Sequence, residues 1–422
     1  MDHRDDEGAS EARFAAYVER LAGVLGHADR AAPLKAYCTG LILPGERKSV
    51  EPMVARVEPG RVQAAHQSLH HFVAKAASGM APSGPGSSTV RRTSLPNKGG
   101  HSVGVTRQYG GQRGKQDNCQ VAVTLSVANT QASLRLAVRL YLPEVWAENP
   151  QRRAKAGVPG ELVFQTKPEI ALDQIRATLA AGVAQAVVLA DAGYGVDTAF
   201  RTALTELGLL YGVAIQSSTT LWPPGSAPLP PRPWSGRGRP PTRGRRAPDH
   251  QPLSALDLAK KLPAQAWQAV TWREGTSALL TSRFAAVRVR PAHRDPLLQE
   301  PWPEQWVLVE WPPGEMEPTT YWLSTLPSDP VLSDLVDGAK LRWRIERDYQ
   351  ELKQEIGLGH YEGRGWRGVH HHATRCLAAY GFLVSQRGRI PPSGPEPPVL
   401  QAPRLPGTYR PRGAPRQTGA PR

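Results

Sequence analysis

The sequence predicts an α/β protein: a meander of strands followed by alternating helix and strand, set behind a helical N-terminal domain and interrupted by a mostly β insertion. Three observations carry this. Val- and Leu-rich runs recur at His101–Tyr109, Gln120–Ala128 and Ser133–Leu142 with short polar turns between them, the pattern of consecutive antiparallel strands. From Lys167 to Ile215, helical spacing alternates with short apolar runs. The 41 prolines and 40 glycines gather in a few stretches, which therefore read as linkers and tails rather than as core.

Taken in order, residues 1–75 form the N-terminal helical domain. Phe14, Val18, Leu21 and Leu25 fall at helical spacing, an apolar run from Leu34 to Leu43 lies between Pro33 and Pro44, and a further helix fits Arg61–Lys75. Residues 76–92, almost all small, read as an irregular Gly/Ser/Pro linker standing where a first core strand is expected. The first part of the core spans 93–216. It holds the meander, a helix over Lys167–Ala181, a strand over Ala186–Ala190 ending on Asp191, a helix over Thr198–Leu207 and a strand over Leu210–Ile215. This order is that of a ribonuclease-H-like core.

Residues 217–330 read as a basic loop followed by a β-rich insertion, with a helix-like patch near Leu253–Ala266 and strands at Phe284–Val289, Trp306–Glu310 and Tyr321–Thr325. The second part of the core, 331–390, carries a long helix from Val331 to Ile356 and a shorter one from His371 to Gln386. Residues 391–422 form a Pro-rich tail without alternation, expected to be disordered.

Charge narrows the partner. Against 37 acidic residues stand 52 Lys and Arg, a net charge of +15, which favours a polyanion and makes double-stranded DNA the first candidate. No run of about 18 apolar residues occurs and the start is acidic and polar; the expectation is no membrane span, no secretory signal and a cytoplasmic, nucleoid-associated protein. Cys38, Cys119 and Cys376 are too scattered for a disulfide framework or a Cys-based zinc site.

Two constellations can carry chemistry. Arg342, Glu346, Tyr349 and Lys353 share one face of the long helix. Such a stripe suits a Glu that binds metal between cations that hold a phosphate backbone, although a solvated face of ordinary ion pairs has the same spacing. Asp191 ends an apolar strand and is followed by Ala-Gly-Tyr-Gly, where α/β sheets place catalytic groups. A helix N-cap is the other reading.

On these residues the chain resembles the insertion-sequence transposases of the DDE type, in the subgroup with a β insertion and a Y-R-E-K signature. Arg342, Glu346 and Lys353 fall in that register and Ala339 stands at the Tyr position; Ala190-Asp-Ala-Gly-Tyr194 is similar to the family's second-Asp segment. The resemblance implies metal-dependent cleavage and strand transfer at terminal inverted repeats. Asp191 and Glu346 would hold Mg²⁺ or Mn²⁺ in a two-metal site. Arg342 and Lys353 would contact DNA phosphates, and a homo-oligomer would assemble on transposon ends and target.

The first carboxylate of that family is missing. Its place lies just before Thr93-Ser-Leu-Pro-Asn-Lys-Gly99, where this chain has Arg91 and Arg92, and no Asp occurs between Asp29 and Asp117. Asp117 lies in a polar turn and matches another part of the family's text. An altered reading frame in GC-rich DNA would explain a lost strand and a lost Asp together, leaving a copy impaired in cleavage, or an inactive DNA-binding remnant or inhibitor of transposition. Further candidates remain. Arg237-Gly-Arg-Pro240, within six arginines from Arg232 to Arg246, resembles an AT-hook core; as a plain basic loop Arg237 and Arg239 would still contact phosphates. His370, His371 and His372 read as a DNA-facing or solvated cluster, and Trp272 as a core residue or a platform for an extruded base.

Overall fold

The structure is a computed structural model that describes residues 3–24, 31–45, 48–60, 87–97, 99–110, 115–129, 132–274, 279–295, 298–327, 331–341 and 350–387. Three helices lead, α1 (His3–Val24), α2 (Ala31–Ile42) and α3 (Val50–Val57). Four strands follow, β1 (Ser87–Pro96), β2 (Thr106–Gly110), β3 (Lys115–Ala128) and β4 (Ser133–Leu140). Next come α4 (Glu144–Ala147), α5 (Pro150–Ala156), α6 (Lys167–Ala180), β5 (Val188–Ala190), α7 (Ala192–Gly195), α8 (Thr198–Glu206) and β6 (Tyr211–Ile215). The insertion holds β7 (Thr220–Trp222), β8 (Leu253–Ser254), α9 (Ala255–Lys261), β9 (Gln268–Glu274), β10 (Leu279–Pro291), β11 (Gln305–Trp311) and β12 (Thr320–Ser324). The chain then passes through α10 (Leu332–Lys340) and a helical turn at 350–354 to α11 (Trp366–Arg387).

The strand expected to be lost is present. Ser87–Pro96 lies at the centre of the sheet, antiparallel to β3 with Val90 opposite Leu125, and parallel to β5 with Val90 opposite Ala190. The prediction of an irregular linker through residue 92 is therefore corrected for 87–92; residues 76–86 lie outside the described residues. Composition misled because the Gly/Ser/Pro run before it carries the linker reading on through residue 92, although Thr89 and Val90 are β-branched residues that suit a strand; each is 1% exposed and held by strands on both sides.

Around β1 the sheet runs in the order β3-β1-β5-β6. β4 pairs antiparallel with β3, β5 and β6 run parallel, and β2 shares the outer edge of β3 with β4. Only Thr106–Gly110 of the expected His101–Tyr109 run is strand. The insertion is not a separate β unit: β12 pairs antiparallel with β6, Tyr321 opposite Ile215, and β11 and β10 extend the same sheet.

Helices cover both faces. On one, α6 and α8 bury Ile170, Ile175, Phe200 and Leu204 against Val90, Val123, Ala190 and Val213. A capping box, Thr166 with Glu169, starts α6, and the Asp197 side chain accepts from the Phe200 amide to start α8, each satisfying backbone donors the helix leaves open. On the other face α1, α2 and α3 share one apolar cluster with Leu352, Ile356 and α11. The N-terminal helices are thus built onto the C-terminal helix rather than around a core of their own. The helix expected at 61–75 and the tail at 391–422 lie outside the described residues.

The histidines correct a further expectation. His371 is 5% exposed and His372 2%, so neither is solvated. The His372 Nε2–H donates to the Gly357 carbonyl at 3.0 Å, leaving Nδ1 to accept from the Tyr37 hydroxyl at 2.7 Å. His370 Nε2 accepts from the Leu140 amide at 3.1 Å, closing one donor on the free edge of β4.

Burial pushes the His372 pKa down to about 4, with Arg375 and His360 lowering it further. Unfolded histidine titrates near 6.5, so as pH falls below that value the unfolded chain binds a proton the folded chain refuses. We expect stability to be whole above about pH 6.5 and to fall by up to roughly 3 kcal/mol towards pH 4. Denaturant titrations across that range, wild type against His372→Gln, check it; an identical pH slope in both would refute it.

Candidate active site

The register of β1 against β5 sets the site. Because Val90 lies opposite Ala190, Arg91 and Arg92 stand level with Asp191 just past the carboxyl end of β5, while β1 itself runs on against β3 to Pro96. Alternation sends the two arginines to opposite faces. Arg92 Nη2 stands 3.6 Å from Asp191 Oδ1, with side-chain exposures of 37% and 20%.

Asp191 is held by its own turn. Its Oδ1 accepts from the Gly193 amide at 2.8 Å, so it also N-caps the short α7. Tyr194 is fully buried beside Phe200, with ring centroids 5.7 Å apart. The buried Arg201 donates to the Gly195 carbonyl and, at 3.1 Å, to Thr198 Oγ1. At Gly195 any Cβ would collide with the Ala214 carbonyl oxygen, and at Gly193 it would come within 2.6 Å of the Arg92 guanidinium. The Ala-Gly-Tyr-Gly segment is therefore what lets the chain turn tightly after β5 and still leave room for Arg92.

Lys167, whose ammonium sits 4.2 Å from the Tyr141 ring centroid, is near enough to feel the Arg92 charge. Burial lowers its pKa, and the Arg92 charge lowers it further. On the opposite face the Lys353 ammonium donates to the Ser94 carbonyl at 2.9 Å. Burial, then Arg91 and Arg135, push its pKa down to about 8. Lys353 thus bonds the backbone of β1. Arg342 and Glu346 lie outside the described residues, so of the predicted helical stripe the structure places Lys353 here.

Residues 20–84 and 89–279 match the family described as DDE superfamily endonuclease. The chain belongs to that superfamily. It is also 35% identical, over 130 residues, to the probable transposase for insertion sequence element IS701 of Microchaete diplosiphon, a match spanning 31% of either chain. Among solved structures it is similar to a piggyBac transposase synaptic complex with hairpin DNA, at 10% identity and a TM-score of 0.32, over 82% of this chain and 62% of that one.

For a DDE endonuclease the described residues do not fit a divalent cation. Among them no three His, Cys, Asp or Glu side chains come together. A guanidinium stands 3.6 Å from Asp191, and it would repel a metal ion there. Asp117 does not substitute: on β3 it pairs with Gln108 of β2, whereas Arg91 lies opposite Thr124, roughly 20 Å away along β3.

The remaining candidates are dispersed. Arg237 and Arg239 are exposed, but Gly236 and Gly238 have φ of 82° and 72°, and the Trp234 indole donates to the Gly238 carbonyl at 3.2 Å. This is a closed bend, not the extended Arg-Gly-Arg that an AT-hook needs. Arg246 is structural: it pairs with Asp295 and donates to the Ala292 carbonyl at 2.7 Å. Trp272 is core. The Lys340 ammonium sits 4.4 Å from its ring centroid, 5.6 Å from Phe284 and 5.9 Å from Trp322, and pairs with the nearly buried Glu310 at 2.5 Å.

That cage ties α10 to the insertion strands. Lys340→Met would remove the cation from three rings and leave Glu310 without this partner, and we expect it to destabilise the fold by about 3 kcal/mol. Urea unfolding measures it; a loss under about 0.5 kcal/mol would count against the cage. Sequence reading missed Lys340, Lys167 and Arg135, because strands far apart in the chain supply their surroundings.

Proposed function

We propose that the chain is an insertion-sequence transposase by descent, of the Y-R-E-K subgroup, which binds the terminal inverted repeats of its element as duplex DNA and does not cut them. The observation that carries this reading is the Arg92 guanidinium at Asp191. Membership of the DDE superfamily and the likeness to an insertion-sequence transposase support the lineage. The net charge of +15 supports the partner. In this reading Asp191 and Glu346 are what remains of the acidic site, Arg342, Arg237 and Arg239 contact phosphates, the N-terminal helices join in DNA binding, and copies assemble on DNA in the cytoplasm at the nucleoid.

A second reading, that the protein inhibits transposition by occupying ends, is favoured by the complete sheet around β1: a copy that folds can compete for DNA. Purified protein with labelled repeat-bearing duplex should retard the duplex in a gel and leave it un-nicked in Mg²⁺ or Mn²⁺. Metal-dependent nicking at the repeat ends would overturn the reading. Co-production with an active relative should lower excision if the chain inhibits. Translating the codons for residues 76–92 in the other frames tests the altered-frame origin, which an Asp-bearing strand in another frame would support.

A further inference from the structure

Arg92 faces an open cleft of 560 Å³ walled by the Asp191 turn on one side and by the ends of β6 and β12 on the other. Gln216, Ser217, Ser218, Thr319 and Thr320 line it, and among its lining residues Asp191 is the one acid. A cleft with one partly exposed guanidinium and several hydroxyls has the chemistry of an anion site rather than of a metal site.

We propose that this cleft binds a phosphodiester directly on Arg92, with no divalent cation between protein and phosphate. The proposal rests on the DNA-binding reading above and specifies how the backbone is held. Where a site is built of carboxylates, a metal ion must bridge them to phosphate oxygens. Here the positive charge is covalently part of β1, and a guanidinium presents a planar fork that matches two phosphate oxygens. At 3.6 Å and partly in solvent, the pair with Asp191 is long for a charge-assisted hydrogen bond and weak enough for a phosphate to displace. Lys167, close enough for the Arg92 charge to lower its pKa, adds to the same positive field.

This reverses the role of Asp191. In a metal site it would help to hold DNA through the ion, whereas beside Arg92 it competes with the phosphate. The test is fluorescence anisotropy of a labelled short oligothymidylate with the full chain, in chelator and at fixed ionic strength. Arg92→Gln should weaken binding about tenfold, and Asp191→Asn should tighten it several-fold. Mg²⁺ at matched ionic strength should leave the affinity unchanged, and Arg92→Lys should fall between wild type and Arg92→Gln.

Binding that requires Mg²⁺, unchanged binding in Arg92→Gln, or weaker binding in Asp191→Asn would overturn the proposal. Asp191→Asn decides the matter alone should Arg92→Gln fail to fold. Preference for terminal repeats over scrambled duplex is read separately: its absence would sink the transposase reading and leave the phosphate site standing.

Discussion

Replacing Arg91 and Arg92 together by aspartate is expected to give the protein a divalent-cation dependence, and the wild type is expected to show none. The change removes both guanidinium groups and sets a carboxylate at position 92 beside Asp191, so that two carboxylates face each other from the neighbouring strands β1 and β5, the donor type that Mg²⁺ and Mn²⁺ take. A ligand that binds only the folded state at one hundred times its Kd adds about 2.7 kcal/mol of stability. We therefore expect Mn²⁺ to raise the melting temperature of the double variant and to leave the wild type unmoved. Arg91 is also one cause of the depressed Lys353 pKa, so the same variant should return Lys353 towards the ordinary lysine range. Equal Mn²⁺ shifts in both proteins would show that the arginines do not exclude the ion.

The second large effect is expected at Asp295. Its side chain is 1% exposed, accepts from the Trp222 indole at 2.7 Å and pairs with Arg246. Asp295→Ala leaves a partly buried guanidinium and a buried indole N–H without these partners. Breaking one side of a buried pair costs about 3–5 kcal/mol, and the lost indole bond adds about 1 kcal/mol more. Denaturant unfolding measures it. Asp295→Asn, which can still accept from the indole, should lose less, and equal losses in the two variants would assign the effect to packing instead.

Most of the core was legible in the sequence. Gln120–Ala128, Ser133–Leu140 and the alternation from Lys167 to Ile215 could be read because each element carries its own periodicity. What was missed depends on contacts that no local pattern encodes. Ser87–Pro96 is a strand because β3 and β5 flank it. The histidines of α11 are buried because Tyr37 and Gly357 receive His372. At the candidate site the family resemblance draws attention to Arg91 and Arg92, but their separation to opposite faces, one beside Asp191 and one beside Lys353, follows from their places in β1. The six arginines of the basic loop looked equivalent in one dimension; Asp295, reached only through the fold, makes Arg246 a structural residue.

The pairing of β6 with β12 also bears on how the protein can be made. During synthesis the ribosome delivers β1 to β6 long before β12 leaves the exit tunnel, so the nascent core carries an uncapped strand edge throughout translation of the insertion. Open edges recruit other chains. A product ending near residue 216 is therefore a hazard to its neighbours, and the insertion acts as a late-arriving seal on a sheet that would otherwise remain open.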